Sequence, residues 1–337
     1  MYFLSQNLNS FLTCVVLYAA TLLVVPNAII SRDEWSLTSL VTVLAVAYND
    51  TEDVGKFLCS LKTQTYRNTD LVLVDNSKSD LIRDLVVQFK SESRLRNVHY
   101  VGNENTGYTG GVMLGAKFAR GDLILVCNPD TILERNCIET LVSSFSSQPA
   151  NVMILAPKVM IRDSDVINSI GMRRMRPNEN LYVNIGYLEE DRGQYDLARN
   201  LIAFDGAAFM FRSELLKHTY LFDPKFFFGD DTPDLAERVL KLGFQIRSCP
   251  SAVIRHEIRG SVANTKLNDE LNAILVRNAL IHTLRNMGWG MFLRTLIIAI
   301  WYRNILRPVI GHHKNWRWSF TYAKGTAKFL LDIGRFF

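Results

Sequence analysis

"LILVCNPDTIL" (residues 123–133) decides how the chain is read. Leu123 to Cys127 form an unbroken apolar run, the pattern of a strand buried on both faces, and the run stops at Asn128-Pro129-Asp130. Pro129 lacks an N–H and restricts the residue before it, so the tripeptide is held extended. The side chains at 128 and 130 then point the same way, and an amide and a carboxylate leave the tip of a buried strand together. A turn or helix cap would explain one such end.

Working outward, the same punctuation recurs. "LVTVLAVAY" (40–48) and "DLVLVDNS" (70–77) are apolar strands ending in Tyr48-Asn49-Asp50 and Asp75-Asn76-Ser77; "NVHYVGN" (97–103) is a third strand. Helical patterns separate them. In "TEDVGKFLCSLKTQT" (51–65), Val54, Phe57, Leu58 and Leu61 recur at helical spacing behind Thr51 as cap. "SDLIRDLVVQFKS" (79–91), "GGVMLGAKFARG" (110–121) and "ERNCIETLVSSFSS" (134–147) supply three more helices. Apolar strands alternating with helices predict an α/β fold with a mostly parallel central sheet covered on both faces, and ligands beyond the carboxyl ends of the strands. The three polar ends should share that rim. Further on, strands are expected near 152–160, 201–211 and 244–249, a helix at 233–242, and a long surface excursion at 173–196.

At 337 residues the chain can bury a substantial core, and 48% apolar with 21% charged residues is a globular composition. Its five cysteines are scattered with no CxxC, which argues against a disulfide framework or a zinc site. The net charge of +5 is uneven: from Arg255 onward 13 Lys/Arg face 4 Asp/Glu. That excess suits an anionic partner. Because its basic residues are interleaved with apolar stripes, a membrane surface fits better than nucleic acid. "FLTCVVLYAATLLVVPNAII" (11–30) is uncharged and long enough to cross a bilayer. Arg32, Lys56, Lys62 and Arg67 follow it, which would put the body on the cytoplasmic side. A core hairpin is the other reading. "WGMFLRTLIIAIWYRNILRPVI" (289–310) has the mixture of an interfacial amphipathic helix or of a core-facing one.

Three further segments carry chemistry. "NENTGYTGG" (103–111) is glycine-rich between a strand and a helix, where free N–H groups suit an anion, but it is neither GxGxxG nor a Walker loop, and a plain glycine turn is the other reading. "FDPKFFFGDDTPDLAERVLKLGF" (222–244) sets Asp230, Asp231 and Asp234 at a helix start, as dipole-favoured acids or as a general base. "VIRHEIRGS" (253–261) offers His256 after an apolar strand beside Arg255 and Arg259.

Taken in this order, "AYND", "VLVDNS", "NTGYTGGVMLGAKFARGDLILVCNPD", "FDGAAFMFRSELL", "FDPKFFFGDDTPDLAERVLKLGF", "IRHEIRGS" and "VRNAL" resemble the family 2 glycosyltransferases of the GT-A fold, in their rhamnosyltransferase-like branch, over about residues 40–285. The resemblance implies a GT-A domain at 38–285 (nucleotide-binding half 38–130, acceptor half 131–285), to which the apolar and basic stretches read above add a membrane anchor at 1–37 and a basic amphipathic tail at 286–337. It implies that Tyr48, Asn49, Asp75, Asn76, Asn105, Gly107, Gly111 and Asn128 face a nucleotide-sugar. It further implies that Asp205 and Gly206 line the sugar and acceptor pocket, and that Asp130 and His256 meet a Mg2+ or Mn2+ ion. Asp231 would be the base, with Asp230 as fallback and Asp234 in the same cluster.

Two departures stand out. Asn128 occupies the first place of the common Asp-x-Asp, and "DDTPDL" replaces Glu-Asp-x-Asp-Leu. The expected activity is inverting transfer of a sugar, with dTDP-rhamnose favoured and UDP- or GDP-sugars open, to a glycan or lipid-linked glycan at a membrane. A catalytically degenerate sugar-binding scaffold is the alternative. A nucleotidyltransferase would want a Gly-rich basic loop after the first strand, which "AYNDTEDVG" does not supply.

Overall fold

The computed structural model describes residues 38–174, 182–257, 268–297 and 323–332. The segment 11–30 and most of 289–310 lie outside the described residues.

Four strands, β1 (Val41–Ala47), β2 (Thr69–Asp75), β3 (Asn97–Gly102) and β4 (Leu123–Cys127), form the parallel half of one sheet in the order β3-β2-β1-β4. Their period of two divides the core. Val41, Val43, Ala45 and Ala47 face one apolar layer; Leu44 and Val46 face the other. Helices α1 (Thr51–Lys62), α2 (Leu81–Glu92) and α4 (Cys137–Ser147) feed the first layer through Phe57, Phe89 and Phe145, while α3 (Gly107–Ala116) lies on the second through Val112. The strands are apolar throughout because both faces are covered. Asp50, rather than Thr51, caps α1: its carboxylate accepts the Asp53 N–H at 3.0 Å.

Past β4 the sheet becomes mixed. β5 (Thr131–Leu133) lies at the far edge; β6 (Val152–Ile161) carries the short β7 (Ile167–Ser169); β8 (Met172–Arg174) and β9 (Tyr182–Asn184) pair as a separate hairpin. β10 (Ala208–Arg212) runs antiparallel between β4 and β6, and β11 (Gln245–His256) runs parallel to β6 and antiparallel to β5. The strand expected at 201–211 therefore begins only at Ala208, and the one expected to end at 249 continues past a register shift to His256. The reversal of β10 brings its amino end to the rim where β4 ends: the Asn128 N–H donates to the Ala207 carbonyl at 2.8 Å.

Helix α5 (Asp231–Lys241) packs on the second layer through Leu235, Ala236 and Val239. Helix α6 (Asn268–Asn286) follows, then α7 (Gly288–Ile297) and a helix at 323–332; Leu280, Ile281, Phe292 and Phe329 join Phe226 in a smaller core. Trp289, Leu293, Ile297, Leu330 and Leu331 are exposed. Among the described residues no helix is long and apolar enough to cross a membrane.

Candidate active site

Parallel pairing of β1, β2 and β4 puts their three polar ends on one rim. Tyr48 is 54% exposed, and Asn49 adopts a left-handed φ of 55° with its N–H donated to Ser77 Oγ at 2.8 Å. Asp75 is buried, accepting the Ser77 N–H at 2.8 Å and the Tyr100 hydroxyl at 2.9 Å. Burial, and then the bond to Asp75, push the Tyr100 phenol up to about 12. Asn76, also buried, donates to the Gly107 carbonyl at 3.0 Å and accepts from Asn103 at 2.8 Å, which ties the end of β2 to the start of α3.

Helix α3 starts at Gly107 rather than Gly110, because Asn105 Oδ1 accepts the Gly107 N–H at 3.0 Å. The Thr109 N–H goes to the Phe227 carbonyl at 3.3 Å, so two of the donors expected for an anion are spent on protein. A Cβ at Gly107, where φ is +76°, would lie 2.4 Å from the Phe227 carbonyl oxygen, and one at Gly111 would lie 2.5 Å from Val46. These glycines bring protein against protein, which fits the reading of the segment as a plain glycine turn.

Asp130 lies in the turn between β4 and β5, and β11 delivers His256 opposite Thr131 of β5. His256 Nε2 lies 3.2 Å from Asp130 Oδ1. His256 Nδ1 is buried without a hydrogen-bond partner, and among the described residues the buried Asp130 Oδ1 has only the His256 imidazole beside it. Two ligands in adjacent octahedral positions at about 2.1 Å from an ion would lie about 3 Å apart, so the pair fits a divalent cation. Among the described residues no three His, Cys, Asp or Glu side chains converge as a full cage. A cation held here would take its remaining ligands from substrate phosphate and water, as Mg2+ commonly does. Burial pulls the His256 imidazole down, but the Asp130 carboxylate, and Asp205 beyond it, outweigh this and raise it above its ordinary value.

Beneath the pair lies Arg162, which sequence reading missed. Its guanidinium pairs with Asp53 at 2.7 Å and Glu257 at 3.1 Å and donates to the Asp130 carbonyl, while its N–H donates to the His256 carbonyl at 2.9 Å. Nothing in the local sequence around Arg162 signals this, since its partners are remote in the chain.

Asp205 Oδ1 accepts the Ala207 N–H at 2.8 Å, and its Oδ2 accepts Asn168 at 3.0 Å and Asn184 at 3.1 Å. Gly206 packs near Thr232, and its carbonyl lies 3.4 Å from the Tyr108 hydroxyl. Tyr108 is the hub. Burial, followed by the charges of Asp231, Asp205 and Asp130, raises its phenol well above the usual range. The residue stood in "NTGYTGG" but was read only as loop.

The acids divide. Asp234 is committed to Arg238 at 2.9 Å and Asn286 at 2.8 Å. Asp231 accepts the Thr232 N–H at 2.7 Å and the Gly229 N–H at 3.1 Å; burial still raises it to about 6. Asp230, at φ 58°, makes no cap bond, and burial followed by the charges of Asp231 and Asp234 lifts it to about 7. Phe227, Gly229 and Asp230 all have positive φ. Non-glycine residues there cost of order 1–3 kcal/mol each and persist where surroundings over-determine them, typically at functional sites.

Comparison with known proteins places this geometry. Residues 42–219 match the family described as Glycosyl transferase family 2. Glycosyltransferase GlyG of Streptococcus pneumoniae is 29% identical over 124 residues, 35% of this chain and 39% of that protein. Poly-beta-1,6-N-acetyl-D-glucosamine synthase of Staphylococcus aureus is 22% identical over 109 residues, 32% of this chain and 26% of that protein. The chain thus spans well under half the length of these curated relatives. Among solved structures, a mannosyltransferase from Pyrobaculum calidifontis in complex with GDP-Man and Mn2+ superposes with a TM-score of 0.56 at 15% identity, covering 87% of this chain and 88% of that one. GalNAc-T7 with UDP, GalNAc and Mn2+ gives 0.60 at 14% identity, covering 88% and 58%. These likenesses establish the GT-A fold.

Proposed function

The chain belongs to glycosyl transferase family 2, and on that premise we propose that it moves a sugar from a nucleotide-diphosphate sugar to an acceptor hydroxyl with inversion. The observation that carries this reading is the His256–Asp130 pair, Nε2 to Oδ1 at 3.2 Å, standing at the rim where the parallel strands β1, β2 and β4 all end in polar residues.

In this reading Tyr48, Asn49 and Asp75 face the base and ribose, with Asn76, Asn103 and Asn105 holding the strand-to-helix turn. Asn128 projects beside the diphosphate, and Asp130 with His256 would hold a divalent ion. When bound, that ion supplies positive charge to the leaving diphosphate. Asp205, fixed by Asn168 and Asn184, and Gly206 border the sugar. The acceptor O–H gives its proton to Asp231 as its oxygen bonds to the anomeric carbon and the bond to diphosphate breaks. Asp231 is preferred to Asp230 because two backbone N–H groups stabilise its ionised form and its charge acts on Tyr108.

The rhamnosyltransferase-like branch, with dTDP-rhamnose as donor, is the finer proposal, resting on sequence resemblance. A glycan or lipid-linked acceptor at a membrane surface is supported by the exposed Trp289, Leu293 and Ile297 of α7 beside Arg294. A thermal-shift screen of dTDP-, UDP- and GDP-sugars with and without Mn2+, followed by turnover of the best stabiliser, tests the reading, since a true donor stabilises by mass action. If none stabilises the protein and none is consumed, the transferase proposal is lost. Binding to anionic vesicles but not to oligonucleotides at physiological salt tests the surface.

A further inference from the structure

The "VRNAL" segment has no role in the reading above, yet it lies in α6 against the turn that carries the acids. Asn278 is fully buried, and its amide donates to three carbonyls of that turn: Phe226 at 2.9 Å, Phe228 at 2.8 Å and Gly229 at 3.0 Å. Arg277, nearly buried, donates to the carbonyls of Lys225 at 2.6 Å and Phe226 at 3.3 Å. It also holds Asn278 Oδ1 from Nε at 3.1 Å and from a terminal nitrogen at 2.8 Å, which fixes which end of the amide faces the turn. Asp332, in the 323–332 helix, pairs with Arg277 at 3.2 Å.

The turn is pinned from the other side as well. The Phe227 carbonyl, reversed by its φ of 63°, accepts the Thr109 N–H of α3. At Gly229, φ is +80° and a Cβ would lie 2.1 Å from Leu275, so glycine is required both by the backbone and by the contact with α6. Carbonyls 225, 226, 228 and 229 are thus bound by α6 and carbonyl 227 by α3. Asp230 follows in the left-handed region, and Asp231 closes the turn by accepting the Gly229 N–H. A conformation this unfavourable by itself persists because α3 and α6 satisfy the carbonyls it turns outward.

We infer that Arg277 and Asn278 form a clamp that positions the acid-bearing turn, so that Asp231 meets the acceptor oxygen while the donor is held independently by the β1–β4 rim. Asn278 is a positioning residue: it touches neither substrate nor ion. The inference rests on the proposed transferase reading for its kinetic consequence and on the bonds above for its structural one.

The test uses the full chain carrying Asn278→Ala, with Arg277→Gln as the second variant should the first fail to fold. Nucleotide binding with Mn2+ is measured by calorimetry, kcat and donor KM by product formation, and amide hydrogen exchange over residues 226–231 by mass spectrometry. The expected result is exchange at least 10-fold faster in the turn, kcat lowered 10–100-fold, and donor affinity and KM within 3-fold of the parent. Unchanged exchange in the turn, or donor affinity falling in step with kcat, overturns the clamp. Asp231→Asn and Asp230→Asn run alongside. If neither lowers kcat, the assignment of the base fails, and hydrogen exchange alone then decides the clamp.

Discussion

The rim formed by β1, β2 and β4 and the acidic turn at 226–231 are built by opposite means. On the rim each polar group follows directly from its own strand, and parallel pairing aligns the three ends. The turn leaves a short 3-10 helix at Phe226 and runs into α5 at Asp231, with no strand carrying it. Its shape is imposed by α3, 115 or more residues earlier, and by α6, about 50 residues later. In the proposed reading the donor side rests on strands, whereas the proposed base sits where a turn held by α3 and α6 enters α5. A locally made rim should tolerate loss of distant contacts, and a remotely made turn should not.

The largest expected effect breaks this comparison on the turn side. Asp231→Asn should lower turnover by about 10²–10⁴-fold, the range of general-base help, while leaving nucleotide binding on the rim intact. A loss confined to Asp230→Asn would move the base one residue without changing the contrast. Next, Arg162→Met should destabilise the fold by about 3–5 kcal/mol in denaturant titration, because Asp53 loses its buried counter-charge. Asp53→Asn in the same chain should recover part of that loss. If the single change costs nothing, the footing assigned to Asp130 and His256 is wrong.

His256→Ala should weaken Mn2+ binding by on the order of 10–100-fold or more, the range lost when even outer partners of a metal ligand are removed. Calorimetry in the presence of a nucleoside diphosphate reads this, and unchanged affinity would detach the histidine from the ion. The smallest effect concerns pH. Asp230 sits near 7 in the folded chain against an ordinary 3.8, so the folded state holds a proton that the unfolded chain has released between those values. Stability from this group is fully present below about 4 and declines as pH rises through 7, at no more than about 1.4 kcal/mol per pH unit. Asp230→Asn should therefore flatten the fall in melting temperature between pH 5 and 8. Parallel curves for variant and parent would show that folding does not raise the Asp230 carboxyl.

How much was legible follows the same divide. The helices α1, α2 and α4 and the four parallel strands were readable because apolar spacing of 3.6 or unbroken apolar runs report burial directly. Tyr108, Arg162 and Asn168 were not, because each earns its place through a partner distant in the chain, and residue type alone gives no sign of that. The glycines of 107–111 left two readings open, room for a ligand or a plain turn, and the structure sets Phe227 and Val46 against Gly107 and Gly111. Sequence shows that a Cβ is absent without showing what fills the gap.

By itself the sequence determined the alternating α/β order, the polar endings of β1, β2 and β4, and the residue types available for metal, sugar and base. Only the tertiary structure decided that β10 enters antiparallel, which carries Asp205 and Gly206 to the rim where β4 ends, and that β11 runs on beside β5 to set His256 against Asp130. Periodicity is a local property, written in neighbouring residues. Strand order and the shape of an irregular turn come from hydrogen bonds between segments tens of residues apart, and those bonds exist only once the chain has folded.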